Sequence, residues 1–173
     1  MTFFWKWSHT RMANLNTLSE NNEYYTKVET WQAILKFIPT DKIILEPFYG
    51  DGTGADNLRS LELNVVSEDV DFNEALDHFN YDLTITNPCF SPKILKLFLK
   101  KLCEIDKPFI IILPITKITT KYFQQYFKDK IQMIMPSSRI SFNSKDPSKK
   151  GSPSFPSIYV CYKMELPQDI IWL

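Results

Sequence analysis

Phe109-Ile110-Ile111-Ile112-Leu113 is five apolar residues in a row, and it limits the fold more than any other stretch of this chain. Successive side chains of a strand point to opposite faces, so an unbroken apolar run leaves neither face for water. It is also far short of the roughly 20 residues that cross a bilayer. The run therefore reads as a parallel strand covered on both sides. The chain supplies the covering pieces in alternation. Ile43-Ile44-Leu45, Asn64 to Ser67, Leu83-Thr84-Ile85, Ile131 to Met135 and Ser157 to Tyr162 read as strands. Helical spacing runs from Val28 to Ile38, where Pro39 stops it, and again over Ala55 to Leu63, Pro92 to Leu102 and Lys117 to Lys128. This alternation predicts an α/β fold with a doubly wound, mostly parallel sheet and an antiparallel last strand.

The 173 residues suit a single domain, 1–173, with an irregular N-terminal segment over 1–23 and a Ser-, Pro- and Lys-rich loop over 143–156. The formal net charge is zero, so contact with nucleic acid has to come from a local patch. Cys89, Cys103 and Cys161 are far apart, with no Cys-x-x-Cys pair, and support neither a disulfide framework nor a zinc site. No metal is expected, and His9 and His78 are expected at the surface. With no membrane-length apolar run and no signal-like start, the expected setting is intracellular and reducing.

Thr86-Asn87-Pro88-Cys89-Phe90-Ser91 follows a strand directly. The Asn87 amide oxygen and the Pro88 carbonyl can accept from an amino group while the Phe90 ring stacks on a heterocycle, which makes a pocket for a planar amine. Asn87-Pro88-Cys89-Phe90 resembles the Asn-Pro-Pro-Phe signature of S-adenosylmethionine-dependent amino-methyltransferases acting on adenine, with Cys89 in place of the second proline. Methyl transfer to an amine is an in-line displacement, so the protein mainly aligns the reacting atoms and excludes water. Acceptors at Asn87 and Pro88 would stabilise the positive charge that develops on the nitrogen. Phe90 would stack on an extruded or unpaired base. Three readings of Cys89 stand: a scaffold replacement, the thiolate nucleophile of a carbon-5 cytosine methyltransferase, or part of an inactive partner subunit that keeps the fold.

Three of the four glycines lie in Glu46-Pro47-Phe48-Tyr49-Gly50-Asp51-Gly52-Thr53-Gly54, where a strand turns into a helix. Glycine tolerates positive φ and close backbone approach, and a helix start offers N–H groups to a carboxylate. A plain tight turn fits the glycines equally well. The whole string resembles the acid-Pro-Phe-x-Gly-x-Gly cofactor loop of the same enzymes. That resemblance implies S-adenosylmethionine as cofactor, with Glu46, Pro47, Phe48, Gly50 and Gly52 around its methionine part. After the next strand comes the acidic Glu68-Asp69-Val70-Asp71-Phe72. An acid at that place in such a sheet can accept from ribose hydroxyls. The resemblance gives this role to Asp69, and sets Asp71 and Phe72 beside the adenine ring. Tyr24-Tyr25-Thr26 resembles the family's Phe-Tyr-Thr-Pro box, Lys27 replacing the proline, so Tyr25 and Thr26 join the cofactor set. Thr26 with Glu29 also reads as a capping box on the first helix.

Arg139, Phe142, Lys145, Lys149, Lys150 and Phe155 combine cationic and aromatic groups able to hold phosphates and stack a base. Their segments resemble Arg-Ile-x-Phe and Phe-Pro-Ser-Ile of small viral and phage adenine methyltransferases. The resemblance runs from about Tyr24 to Tyr162. It implies a Rossmann-like methyltransferase fold acting on the N(6) amine of adenine in nucleic acid, DNA favoured over RNA. A homodimer or partner subunit would fit the small size, and a viral protein would work in the host cytoplasm or nucleus. The stretch between Asp71 and Tyr81 is short, so the family's third strand and its flanking helix are expected to be reduced or missing.

Overall fold

A computed structural model describes residues 24–144 and 155–173. The first strand among the described residues is β1 (Tyr24–Thr26), followed by α1 (Val28–Gln32) and a 3-10 turn, Leu35–Phe37. Then come β2 (Ile43–Leu45), α2 (Thr53–Arg59), β3 (Asn64–Val66), α3 (Phe72–His78), β4 (Leu83–Thr86) and α4 (Pro92–Ile105). The second half runs β5 (Phe109–Pro114), α5 (Ile115–Ile118), α6 (Lys121–Phe127), β6 (Ile131–Met135), β7 (Phe142–Ser144), β8 (Ser157–Tyr162) and β9 (Ile170–Trp172).

Seven strands form one sheet in the order β3-β2-β4-β5-β8-β6-β9. β2, β3, β4 and β5 are mutually parallel, β8 is antiparallel to both β5 and β6, and β9 runs parallel to β6. The apolar run sits at the centre of the sheet, with all six residues of β5 buried. Its side chains alternate between two cores. Ile110 and Ile112 join Trp31, Ile34, Ala55 and Leu58 beneath α1 and α2. Phe109, Ile111 and Leu113 join Leu76, Leu95, Phe98, Phe123 and Phe127 beneath α3, α4 and α6. Period-two alternation against helices on both faces is what the sequence predicted for a doubly wound sheet.

The differences lie where local signals compete with long-range pairing. The helix expected over Lys117–Lys128 is broken between α5 and α6, where the Thr119 and Thr120 hydroxyls donate back to the carbonyls of Thr116 and Lys117 (2.9 and 2.6 Å) and compete with the helical ladder. The helix expected to reach Ile38 tightens after Gln32 into three-residue bonds, Ile34 N to Trp31 O and Phe37 N to Ile34 O. Thr26 is not a helix cap: it lies in β1, and Lys27 occupies the cap position. β1 pairs antiparallel with β7, so the expected loop over 143–156 gives up Asn143 and Ser144 to a strand. β8 is the antiparallel strand, but β9 follows it in the chain. Between β3 and β4 the helix α3 forms and no strand does, so β4 pairs directly with β2. Residues 1–23 and 145–154 lie outside the described residues.

Central burial has a measurable consequence. Ile112→Ala removes a fully buried side chain from β5 and should cost roughly 2–5 kcal/mol in chemical denaturation. A loss below about 1 kcal/mol would contradict two-sided packing of this strand.

Candidate active site at the carboxyl ends of the parallel strands

β2, β3 and β4 end side by side, and the segments that follow carry the candidate residues. In doubly wound sheets this end is where ligands bind. Glu46 follows β2 and is 4% exposed. Its Oε1 accepts from the Thr86 hydroxyl at the end of β4 (2.5 Å) and from the Phe48 N–H in the turn (3.0 Å). The Ser67 hydroxyl, just past β3, donates to the Glu46 carbonyl (2.7 Å). One residue thus ties three strand ends together. Burial outweighs those two donors and lifts the Glu46 carboxyl to about 8.

The turn above it needs its glycines. Gly50 has φ +62° and Gly52 φ +88°, a region that L side chains adopt at a cost. A Cβ on Gly52 would also come within 3.2 Å of the Tyr49 hydroxyl. Gly50 is exposed, and a Cβ there would meet the Tyr25 ring at 3.8 Å, so Tyr25 lies against the turn. Thr26 is buried, and its carbonyl accepts from the Asn57 amide on α2 (2.8 Å). At the start of α2 the Thr53 N–H already bonds Asp51 Oδ1 (3.1 Å), so that donor is engaged within the turn.

Asn87 and Pro88 leave β4 next to Thr86. Pro88 is buried, and Asn87 Oδ1 is buried without a hydrogen-bond partner among the described residues. A buried amide oxygen left unpaired costs about 1–3 kcal/mol, so an acceptor held in this position is poised for a donor. Cys89 and Phe90 are half-buried, and the Phe90 ring meets Phe155 edge to face (5.7 Å between centroids, 80°). The structure therefore brings the Asn87 segment, the glycine turn and Phe155 to one end of the sheet.

Other expected site residues are placed differently. Asp69 is exposed beyond β3, and its exposure alone assigns it no role. Asp71 instead caps α3, its Oδ1 accepting from the Asn73 N–H and side-chain amide (both 2.9 Å). Phe72 is 1% exposed, stacked on Phe48 (5.1 Å) and edge-on to Phe98 (5.7 Å), so it packs the core and presents no open ring face. Phe142 is 5% exposed in the first core, which removes it as a base-stacking surface. Arg139 is exposed, and Lys145, Lys149 and Lys150 fall outside the described residues. Pro47 is buried and Phe48 half-buried beside the turn. Thr86 and Ser67 were missed by the sequence reading. A signal for Thr86 existed: Thr84 and Thr86 share one face of a strand that is apolar on the other.

Glu46 makes the protein pH-sensitive in a defined direction. Its carboxyl titrates near 8 when folded and near 4.5 when unfolded. Between those values the folded state holds a proton that the unfolded chain releases. Stability is therefore fully present below about pH 4.5 and falls as pH rises toward 8. The slope is about 1.4 kcal/mol per pH unit. Glu46→Gln keeps the acceptor for Thr86 and Phe48 and removes this titration. The difference between variant and wild-type unfolding free energies should grow in the variant's favour from pH 5 to pH 8; a flat difference would place the Glu46 carboxyl at its ordinary value.

No protein-family model matches the chain, and no curated protein matches it in sequence. Solved structures do. One is a Listeria monocytogenes protein provisionally assigned to the class I S-adenosylmethionine-dependent methyltransferases, 12% identical, with a TM-score of 0.53 over 84% of this chain. The present chain covers 62% of that protein's length. Another is a precorrin-6Y C5,15-methyltransferase from Geobacter metallireducens, 14% identical, with a TM-score of 0.47, covering 83% of this chain and 96% of that one. The mostly parallel sheet, its single antiparallel strand and the Listeria likeness agree: the chain has a Rossmann-like fold, which it shares with that structure.

Proposed function

We propose that this protein is an S-adenosylmethionine-dependent methyltransferase acting on the exocyclic N(6) amine of adenine in nucleic acid, with DNA favoured over RNA. The observation that carries this reading is Asn87 Oδ1 at the carboxyl end of β4, buried and without a partner among the described residues, beside the Glu46-braced glycine turn. The residues fit the cofactor. Gly50 is exposed at the turn, Tyr25 flanks it, and Asp69 offers an exposed carboxylate past the second strand of the parallel set. When bound there, S-adenosylmethionine supplies an electrophilic methyl group on a sulfonium.

The chain's own contribution is placement and electrostatics. Asn87 Oδ1 accepts from the amine, and the Pro88 carbonyl supplies a second acceptor, so positive charge developing on nitrogen meets preorganised dipoles. Phe90 gives the base a stacking surface, with Phe155 as its neighbour. Thr86 fixes the strand end from which Asn87 projects, through its bond to Glu46. Glu46 acts beneath the turn and not at its surface, holding Phe48 and Thr86 in register.

Transfer of tritiated methyl to DNA and RNA, followed by nucleoside mass spectrometry, tests the reaction. The expected product is 6-methyladenine. Labelled 5-methylcytosine would move the role to Cys89, and no transfer to either polymer would favour an inactive partner subunit. Asn87→Ala should lower the rate by roughly 100-fold; methylation that survives it sinks the proposed site. Cys89→Pro should keep activity, whereas complete loss would favour a thiolate mechanism.

A further inference from the structure

The zero net charge conceals a sharp segregation. Residues 41–82 contain eleven carboxyl groups against one lysine and one arginine, whereas residues 83–130 contain nine lysines against three carboxyl groups. The lysine-rich half begins just before the Asn87 segment and includes α4, α5 and α6. On α4 the helical repeat sorts the residues cleanly: Ile94, Leu95, Phe98, Leu99 and Leu102 are buried. Lys93, Lys96 and Lys100 are left in an exposed row, interleaved with Leu97, which is 43% exposed.

Helix stability does not explain this row. The N-terminal end of a helix carries partial positive charge and favours anions. Yet the first turn of α4 has no acid, its last turn has no base, and Lys93 stands directly after the N-terminal Pro92. Nor does neutralisation explain it. Lys101 is paired with Asp77 of α3 at 2.6 Å, while Lys100 has only an exposed contact with Glu104 at 3.6 Å, of a kind worth little. Lys93 has no carboxylate partner among the described residues. Lys96 lies over the Tyr122 ring of α6 (5.3 Å to its centroid), next to the exposed Lys121. That contact continues the cationic surface from α4 onto α6 and leaves the ammonium open to an anion.

We infer that the α4 face of Lys93, Lys96 and Lys100, continued by Lys121, is a docking surface for the phosphodiester backbone of nucleic acid, leading to the Asn87–Phe90 segment. Ser91 caps α4 immediately after Phe90, so the row starts within a few residues of the candidate acceptor pocket. A polyanion is the occupant that the charge complements. The acidic α3 on the other side of α4 sets the direction, repelling phosphates toward α6. The inference rests on the nucleic-acid reading above, and it moves backbone contact from the lysines of residues 145–154 to a helix.

The test is fluorescence anisotropy with labelled single-stranded and duplex oligonucleotides over a salt series, comparing wild type, Lys93→Gln/Lys96→Gln/Lys100→Gln and Lys36→Gln/Lys42→Gln. All five lysines are exposed, and an unchanged melting temperature establishes folding. The triple variant should bind roughly tenfold or more weakly, with a log–log salt slope shallower by about 2 to 3. The double variant, altered elsewhere, should match wild type. Wild-type affinity and slope in the triple variant would overturn the surface. So would equal competition by polyglutamate or phosphatidylserine vesicles, which would point to an acidic protein or a membrane. Because no methyl transfer is measured, lysine-dependent binding alongside a failed methylation assay would overturn the reaction and keep the surface, and the converse result would do the opposite.

Discussion

Two-sided burial of the central strands is the constraint on which the rest of the molecule depends. β4 and β5 leave no side chain to solvent on either face. The sheet therefore exists only with helices packed on both sides, and two distinct cores result. Because the connections must cross those faces, the parallel strands all end in the same direction. The candidate residues gather there as a by-product of chain routing, not of any direct attraction between them. β5 holds this arrangement with six residue pairs to the antiparallel β8, a long register for so small a domain.

Within that frame one buried acid organises the carboxyl end of the parallel strands. Glu46 draws donors from β4 and from the turn, and its carbonyl takes one from Ser67 beyond β3. A carboxyl so deep favours its neutral form, because the low-dielectric surroundings penalise charge more than two hydrogen bonds recover. This is costly above neutral pH and persists because the geometry it maintains is shared by three strand ends. Asn87 presents the complementary case: a buried acceptor left unpaired among the described residues. Sites that violate a local rule of satisfaction are where function is expected to concentrate.

Charge distribution adds a second level of organisation. The acidic half covers the glycine turn, the Asp69 loop and α3, while the basic half covers α4 to α6. On the proposed reading, a phosphate-bearing acceptor would approach from the second and a cofactor would lie against the first. Lys101 and Asp77 mark the boundary.

Much of this was readable without coordinates, for physical reasons specific to each element. β2, β6 and β8 carry contiguous apolar or alternating runs, and their ends fell where the sequence put them. The Asn87 and Gly50–Gly52 segments were visible because they combine residue types that ordinary strands and helices avoid. β1, β7 and β9 were not read as strands, and β1 depends on pairing with β7 across more than a hundred residues of chain. The sequence by itself determined the layered α/β order and the chemistry available at the strand ends, since periodicity and turn chemistry are local. Only tertiary structure decided that Phe72 and Phe142 are core and that Glu46 is buried beneath its turn. Burial and electrostatic environment are set by distant neighbours, and no local pattern encodes them.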